Sequence, residues 1–364
     1  MKIYVQEGYL FWLQLRSRLI KRWKRLLGDD VLLDMSSLIP FYKNIWREAC
    51  TKIAADFSEI TDGIWKVSRN ERMTLIHNYK VQIDDPVVLN IAGNKALCYR
   101  LLSEHDMPVP PYETFTIHSI GKAKEFMEKH KGSLFVVKPS QGTSGARGIT
   151  THVRSLRECT HAAALASLYG KEILIERLIP GESYRLLILD GRMIHAVRRR
   201  GMHVTGNGFS TVCQLVEEEN RLRQKQNLPC IDIDRDLEAT LKVQGFSGQS
   251  ILGEGQTILV KSYPSRQQKT SEYRTVFNED VSESVCRGLQ DEAVRAASII
   301  QSRFAGVDII TLDLTVPLGE SGGVINEINT TPGLHHHFNL TNGTGCLPAA
   351  DVLNYLLRRN QRSG

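Results

Sequence analysis

Apolar and polar positions are most legible between residues 306 and 338, GVDIITLDLTVPLGESGGVINEINTTPGLHHHF. Two apolar runs, Val307 to Leu314 and Val324 to Ile328, flank a segment of Pro, Gly, Glu and Ser, which predicts two buried strands joined as a hairpin. Upstream, Val285, Leu289, Ala293, Ala296 and Ile300 recur at helical spacing and predict a helix facing a core. A second hairpin is predicted from Arg185 to Leu189 and Met193 to Val197, because Asp190-Gly191 between them favours a type I′ turn.

The rest of the chain divides by the same criteria. Residues 8 to 27 predict a basic amphipathic helix with Leu10, Leu13, Ile20, Trp23 and Leu27 as its apolar members. Docking on its own domain is favoured for this helix over a membrane-surface role. From Asp30 to Asn94, short apolar runs alternate with turns and predict a small α/β unit. Lys95 opens the helical stretch KALCYRLLSEHD, which stops before Met107-Pro108-Val109-Pro110-Pro111; the prolines mark a domain seam. A helix near Ile120 to His130 leads into a strand from Leu134 to Lys138, and Glu172 to Ile179 predicts a further strand. Helices over Ser210 to Gln226 and Asp234 to Val243 are expected outside the main sheet, and residues 347 to 359 form a closing helix.

Composition narrows the class. Hydrophobic content of 41% and charged content of 24% are ordinary for a soluble globular protein. No apolar run reaches the roughly 18 residues of a membrane span. Arg16, Arg18, Lys21, Arg22, Lys24 and Arg25 interrupt the N-terminal apolar stretch, which argues against a secretory signal. Seven scattered cysteines without C-x-x-C spacing fit reduced thiols in a cytoplasmic protein rather than zinc or a disulfide framework. The formal net charge of +6 suits phosphate-bearing small ligands and does not by itself indicate nucleic acid.

Candidate chemistry sits inside these apolar settings. Asp308, Asp313, Glu327 and Asn329 are oxygen donors on or beside the predicted hairpin. Glu327 and Asn329 are two apart, so on a strand their side chains share a face. A carboxylate and an amide oxygen on one face suit Mg²⁺, with Mn²⁺ as an alternative. Directly after the strand ending at Lys138 comes Pro139-Ser140-Gln141-Gly142-Thr143-Ser144-Gly145-Ala146-Arg147-Gly148. Glycines spaced by three can turn backbone N–H groups toward phosphate oxygens, with Lys138 as a point charge at the base. No Gly-Lys-Ser/Thr closes the loop, so it is not a Walker A motif. Arg198, Arg199 and Arg200 could bind anions, although such runs are usually solvated. His335, His336 and His337 are expected to diverge in an extended segment rather than to share a metal.

In combination, Lys95, Lys138 with its Gly-rich loop, the segment Glu176 to Glu182 and the Glu327/Asn329 hairpin resemble the ATP-grasp superfamily of carboxylate–amine ligases, over about Asn90 to Phe338. Within it, SYRLLILDGRMIHAVRRRGMHVTGNG and AGVDIITLDLTVPLGESGGVINEINTTPG are most similar to the ATP-grasp unit of cyanophycin synthetases and fused glutathione synthetases. D-Ala–D-Ala ligases share the Asn-Glu-Ile-Asn-Thr-x-Pro-Gly ending. The second, Mur-ligase-like domain of a cyanophycin synthetase has no counterpart before Gly364.

The resemblance implies an α/β (α+β) ATP-grasp fold with the nucleotide held between two α/β subdomains. It divides the chain into a smaller N-terminal α/β domain, 1–94, a central lid subdomain, 95–180, and a C-terminal subdomain with the metal hairpin, 181–364. By the same resemblance Lys95 and Lys138 bind the α- and β-phosphates, and Ser140, Gly142, Thr143, Ser144 and Gly145 form the loop over them. Glu176, Arg177 and the backbone near Leu178 hold the adenine, and Glu182 holds the ribose hydroxyls. Glu327 and Asn329 hold Mg²⁺ with an upstream aspartate, Asp308 by the Gly-Val-Asp match, Asp313 remaining open. Arg185 aligns with an arginine near the acceptor carboxylate or phosphate, and with Lys138 it is the expected catalytic residue.

The implied activity is ATP- and Mg²⁺-dependent formation of an amide bond between a carboxylate and an amine, through an acyl phosphate. Amino acids or short peptides are the expected small-molecule substrates, with no nucleic acid and no membrane span; a homodimer is compatible with the reading. Three departures concern the substrate end. Ser144 stands where the relatives have a histidine, Lys261-Ser262-Tyr263-Pro264-Ser265-Arg266 replaces an Arg/Asn/Ser/Gly-Gly-rich stretch, and no basic residue lies two before Asp308. They support one alternative, a catalytically altered ATP-binding protein that acts as a partner or regulatory subunit.

Overall fold

A computed structural model of the chain describes residues 38–141, 148–225, 230–261, 277–338 and 348–359, together with residues 15 and 19. The predicted helix over 8–27 therefore lies outside the described residues, apart from those two positions. The helix Ile39–Ile53 buries Tyr42, Ile45, Trp46, Ala49 and Cys50, a stripe at three- and four-residue intervals. It precedes an antiparallel meander of β1 (Asp56–Thr61), β2 (Ile64–Arg69), β3 (Arg72–His77) and β4 (Lys80–Val81). The short helices Pro86–Ala92 and Lys95–Ser103 follow, each opened by a side-chain cap, Asp85 and Asn94 respectively.

A second sheet contains β5 (Tyr112–Phe115), β6 (Phe135–Pro139), β7 (Thr150–Val153) and β8 (Ile173–Arg177), in the order β5-β8-β6-β7. Phe115, Phe135, Val137, Ile173 and Ile175 cluster with Ala123 and Phe126 of the helix Ile120–Lys129 and with Cys159, Ala162 and Ala163 of the helix Leu156–Ala166. Because strand side chains alternate, Val136, Lys138, Leu174 and Glu176 face the other way.

The central sheet is five-stranded and antiparallel, in the order β13-β10-β9-β14-β15. Its strands are β9 (Glu182–Leu189), β10 (Arg192–Arg200), β13 (Phe277–Asp280), β14 (Phe304–Thr311) and β15 (Val324–Thr330). Asp190 at φ 45° and Gly191 at φ 79° form the β9–β10 turn, as a type I′ turn requires. Between β10 and β13, β11 (Met202–Thr205) and β12 (Thr257–Lys261) pair with each other. With the helices Val212–Lys225 and Arg235–Val243 they enclose a separate small core that includes Val204, Val216, Leu237 and Leu252.

Both faces of the central sheet are buried, against different partners. Leu186, Ile188, Ala305, Val307 and Ile309 pack toward the helix Arg287–Ile299 and toward Cys98 and Leu102 of the helix Lys95–Ser103. The helix opened by Lys95 is thus seated on the central sheet rather than in the core of the second one. On the opposite face Leu187, Leu189 and Phe304 meet the helix Ile39–Ile53 and the closing helix Pro348–Arg359. Fully burying one such Leu or Phe contributes about 1.5–3 kcal/mol, so both docked layers are held by apolar area. Among the described residues no helix is long and apolar enough to cross a membrane.

Candidate nucleotide and metal site

The face that carries Leu187, Leu189 and Phe304 turns ionic one register step along. Arg185 on β9 pairs across to Asp308 on β14, and Asp308 to Glu327 on β15. Gly306, two residues before Asp308, pairs with Asn329, so all four polar side chains leave the same face. Gly306 is small for a reason: an added Cβ would lie 3.0 Å from Cβ of Pro332 and 3.2 Å from Cδ of Arg185. The Arg185 guanidinium crosses that gap and donates from Nε to Asp308 Oδ1 at 2.6 Å and from Nη2 to Oδ2 at 2.8 Å. Arg199 Nη1 donates to Oδ2 at 2.8 Å, and Asn329 Nδ2 donates to the same oxygen at 3.3 Å. Burial alone raises a carboxyl pKa, but Arg185 and Arg199 outweigh it and hold Asp308 below the usual carboxylate range. Glu327 Oε1 is paired with Lys95 Nζ at 3.0 Å.

The second sheet presents a matching pair. Lys138 Nζ lies 2.7 Å from Glu176 Oε1, and both side chains are almost fully buried. Tyr99, one turn after Lys95, receives a hydrogen bond from Lys138 at 3.3 Å. Its hydroxyl lies within donating distance of Glu176 Oε2, 3.0 Å, and of the Asn326 carbonyl on β15, 2.7 Å. One side chain therefore touches both sheets. Burial, then the Glu176 carboxylate, pushes the Tyr99 phenol well above its ordinary range, so it remains a donor. The N–H of Lys95 donates to the Ser140 carbonyl at 2.9 Å, and Asn94 bridges to Gln141, which pins this helix start to the beginning of the Gly-rich loop. Gly142, Thr143, Ser144 and Gly145 lie outside the described residues.

No family model matches the chain. It is 32% identical over 290 residues to the cyanophycin synthetase of Geminocystis herdmanii, covering 76% of this chain and 31% of that protein. The glutathione biosynthesis bifunctional protein GshAB of Listeria monocytogenes is 26% identical over 302 residues, 80% of this chain and 38% of that protein. The chain spans about a third of the length of the curated relatives it matches. Among solved structures, a bifunctional glutathione synthetase from Pasteurella multocida aligns with a TM-score of 0.58 over 86% of this chain and 43% of that chain, at 18% identity. The chain is similar to a part of the cyanophycin synthetases and has an ATP-grasp fold.

The other expected residues take the following places. Asp308, not Asp313, stands beside Glu327: Asp313 is exposed beyond the end of β14, where its Oδ1 accepts from the Thr315 N–H and hydroxyl, each at 2.7 Å. Those two hydrogen bonds hold the Asp313 carboxyl below its usual range. The Leu178 N–H is committed to the Leu134 carbonyl at 2.8 Å and that of Arg177 to the Pro111 carbonyl at 3.0 Å, so neither is offered to a base. Glu182 pairs with Arg198 Nη1 at 3.0 Å and Arg200 Nη2 at 3.7 Å, and both arginines also meet Glu279. The arginine run is therefore ion-paired: Arg198 and Arg200, both part-exposed, meet Glu182 and Glu279, while the buried Arg199 meets Asp308. Lys261 is buried against Asp234 Oδ2 at 2.8 Å, while residues 262–276 lie outside the described residues.

The histidine triplet departs from expectation in its backbone. Residues Leu334–His337 form a 3₁₀ turn, not an extended segment, and all three histidines are buried. Among the described residues no group of three or more His, Cys, Asp or Glu could hold a metal ion; the set at Asp308, Glu327 and Asn329 contains only two such side chains. A cavity of about 1020 Å³ lies elsewhere, behind the proline seam between Tyr112, Lys122 and Glu292. It contains none of the charged pairs. Sequence reasoning overlooked Tyr99, although its position four residues after Lys95 puts both on one helix face.

Proposed function

We propose that the chain is an ATP- and Mg²⁺-dependent ligase that joins the carboxylate of an amino acid or short peptide to an amine. The observation that carries this reading is the convergence of Lys95, Lys138, Asp308, Glu327 and Asn329 where Tyr99 links the two sheets. Two carboxylates and an amide oxygen are hard donors, the set that suits Mg²⁺, so the residues present fit the ion. Bound there, Mg²⁺ supplies charge neutralisation for the polyphosphate.

The protein's own groups do the rest by position. A substrate carboxylate oxygen attacks the γ-phosphorus to give an acyl phosphate and ADP; the amine then displaces phosphate to form the amide. No enzyme nucleophile is needed. Lys95 and Lys138 exchange their carboxylate partners for phosphate oxygens, and Arg185 and Arg199 lie beside Asp308 where charge on the transferring group can be met. The Gly-rich loop expected to shield the acyl phosphate from water lies, from 142 to 147, outside the described residues.

The internal pairing of each of these cations with a carboxylate supports a second reading, an ATP-binding partner or regulatory subunit. ADP release measured over a panel of amino-acid pairs separates the two. Release that depends on an added amine supports the ligase; nucleotide binding with no amine-dependent release across the panel supports the regulatory subunit.

A further inference from the structure

Beside the site, β15 breaks its register with β14. Asp308 pairs with Glu327, but the next residue of β14, Ile309, pairs with Ile325, so Asn326 is the extra residue of a β-bulge. In an unbroken strand Ile325 and Glu327, two apart, would share a face. The bulge separates them. Ile325 joins the apolar cluster with Ile309, and Glu327 stands across from Asp308 on the ionic face. The aim of a proposed metal ligand therefore depends on one irregular residue in the last strand of the central sheet. An extra residue has no opposite number in the ladder, so contacts from outside the sheet must fix its conformation.

Those contacts come from the proline seam and from the helix Lys95–Ser103. The Ile325 N–H donates to the Pro108 carbonyl at 2.8 Å. At the bulge itself, the Tyr99 hydroxyl donates to the Asn326 carbonyl at 2.7 Å. Tyr99 is fully buried, and its ring packs on that of Tyr112 with centroids 5.1 Å apart. Lys138 Nζ lies 5.4 Å from the centre of the Tyr99 ring and donates to the hydroxyl oxygen at 3.3 Å. A hydroxyl has one proton, and Glu176 Oε2 at 3.0 Å competes with the Asn326 carbonyl for it. Lys138 already meets Glu176 through Oε1 at 2.7 Å, so the shorter contact, to Asn326, takes the proton. The helix is itself seated: Cys98 and Leu102 lie in the apolar cluster, and Lys95, one turn before Tyr99, pairs with Glu327.

We propose that Tyr99 is a positioning residue, whose hydroxyl pins the Asn326 bulge and so aims Glu327 at the metal, while its ring sets Lys138 relative to the same strand. The consequence for turnover rests on the ligase reading; the pinning of the bulge does not. Tyr99 acts through Glu327 and Lys138 rather than on the reacting atoms. A partner of this kind matters because a ligand held slightly off its productive position weakens the metal it should bind. Without the hydroxyl, the buried Asn326 carbonyl loses its donor, and the bulge can relieve that cost only by moving. The apolar packing around the ring needs no hydroxyl, so the fold survives its removal.

Tyr99→Phe makes that change alone, because the ring stays against Tyr112 and Lys138. Hydrogen–deuterium exchange of the full chain without nucleotide, read by mass spectrometry, compares Val324–Thr330 with Glu182–Leu189 of β9. Exchange over Val324–Thr330 should quicken about tenfold or more in Tyr99→Phe, while Glu182–Leu189 stays within about twofold of wild type. Unchanged exchange over Val324–Thr330 overturns the proposal. Equal acceleration of both segments also overturns it, since the hydroxyl then serves general packing. The second arm is the Mg²⁺ dependence of ADP release with a panel of amino-acid pairs. The Mg²⁺ concentration for half-maximal release should rise about ten- to a hundredfold in Tyr99→Phe, the scale of a lost partner behind a metal ligand, and by more than the KM for ATP at saturating Mg²⁺. An unchanged Mg²⁺ requirement overturns the aiming of Glu327. Absence of amine-dependent ADP release from the wild type counts against the ligase reading, whereas the exchange measurement decides the pinning independently.

Discussion

The two faces of the central sheet are built from the same strands and hold opposite chemistry. On β9, Leu186 and Ile188 point into an apolar cluster, while Arg185 and Leu187 point the other way. On β14, Ala305, Val307 and Ile309 continue the apolar face, while Gly306 and Asp308 carry the ionic one. The first face gains stability from area and tolerates no vacancy. The second gains little net stability from its ion pairs, because desolvating the charges offsets their attraction. Alternation along a strand thus lets a scaffold and a reactive surface occupy one sheet, and substitutions on each face should have different consequences.

The sharpest separation comes from Glu327. Glu327→Gln keeps the shape but removes the proposed metal-binding charge, so ATP turnover should fall by about a hundredfold or more at ordinary Mg²⁺ in a protein that still folds. Wild-type turnover in that protein removes Glu327 from the site. Ile309→Ala on the apolar face should do the reverse. It should cost about 2–5 kcal/mol in denaturant unfolding, with ATP affinity of the folded protein preserved. A lost ATP site at unchanged stability would show that the faces are not independent.

Acid should attack the ionic face in two stages. The folded-state pKa of His337 is depressed, so its contribution is complete above the unfolded value of about 6.5 and is lost as pH falls below it. Asp308 is also depressed, so its share is complete above about pH 3.9 and is lost as pH falls through the folded value. Unfolding curves from neutral to acid pH should therefore lose their lowest-pH limb in Asp308→Asn and their upper limb in His337→Gln. Parallel curves for Asp308→Asn and wild type would contradict the pairing with Arg185 and Arg199. The smallest effect belongs to Glu182, whose side chain is 41% exposed beside Arg198. Glu182→Gln should change stability by about 0.2–1 kcal/mol and less at high salt.

Much of this arrangement was legible from local pattern. The two apolar runs, Val307 to Leu314 and Val324 to Ile328, give the hairpin, and the spacing of Glu327 and Asn329 gives their common face. Asp190-Gly191 gives the turn that sets the β9–β10 register. Spacing could not choose between Asp308 and Asp313, because the choice depends on where β14 ends. It ends at Thr311, and Asp313 then caps a turn through Thr315. The pairing of Arg199 with Asp308 and of His195 with His337 is set by strand order across long sequence separations, 109 and 142 residues, which no local periodicity encodes. The triplet was misjudged for a related reason: consecutive side chains diverge in a strand, but in the turn Leu334–His337 all three find burial.

The central claim is that a nucleotide lies between the two sheets, with Lys138 on its phosphates. Calorimetric titration of ATP with Mg²⁺ into the wild type and into Lys138→Ala tests it directly. Lys138 leaves Glu176 to make a charge-assisted phosphate contact of about 1.5–3 kcal/mol, so the variant should bind ATP at least about tenfold more weakly. Equal affinity in the two proteins would contradict the account.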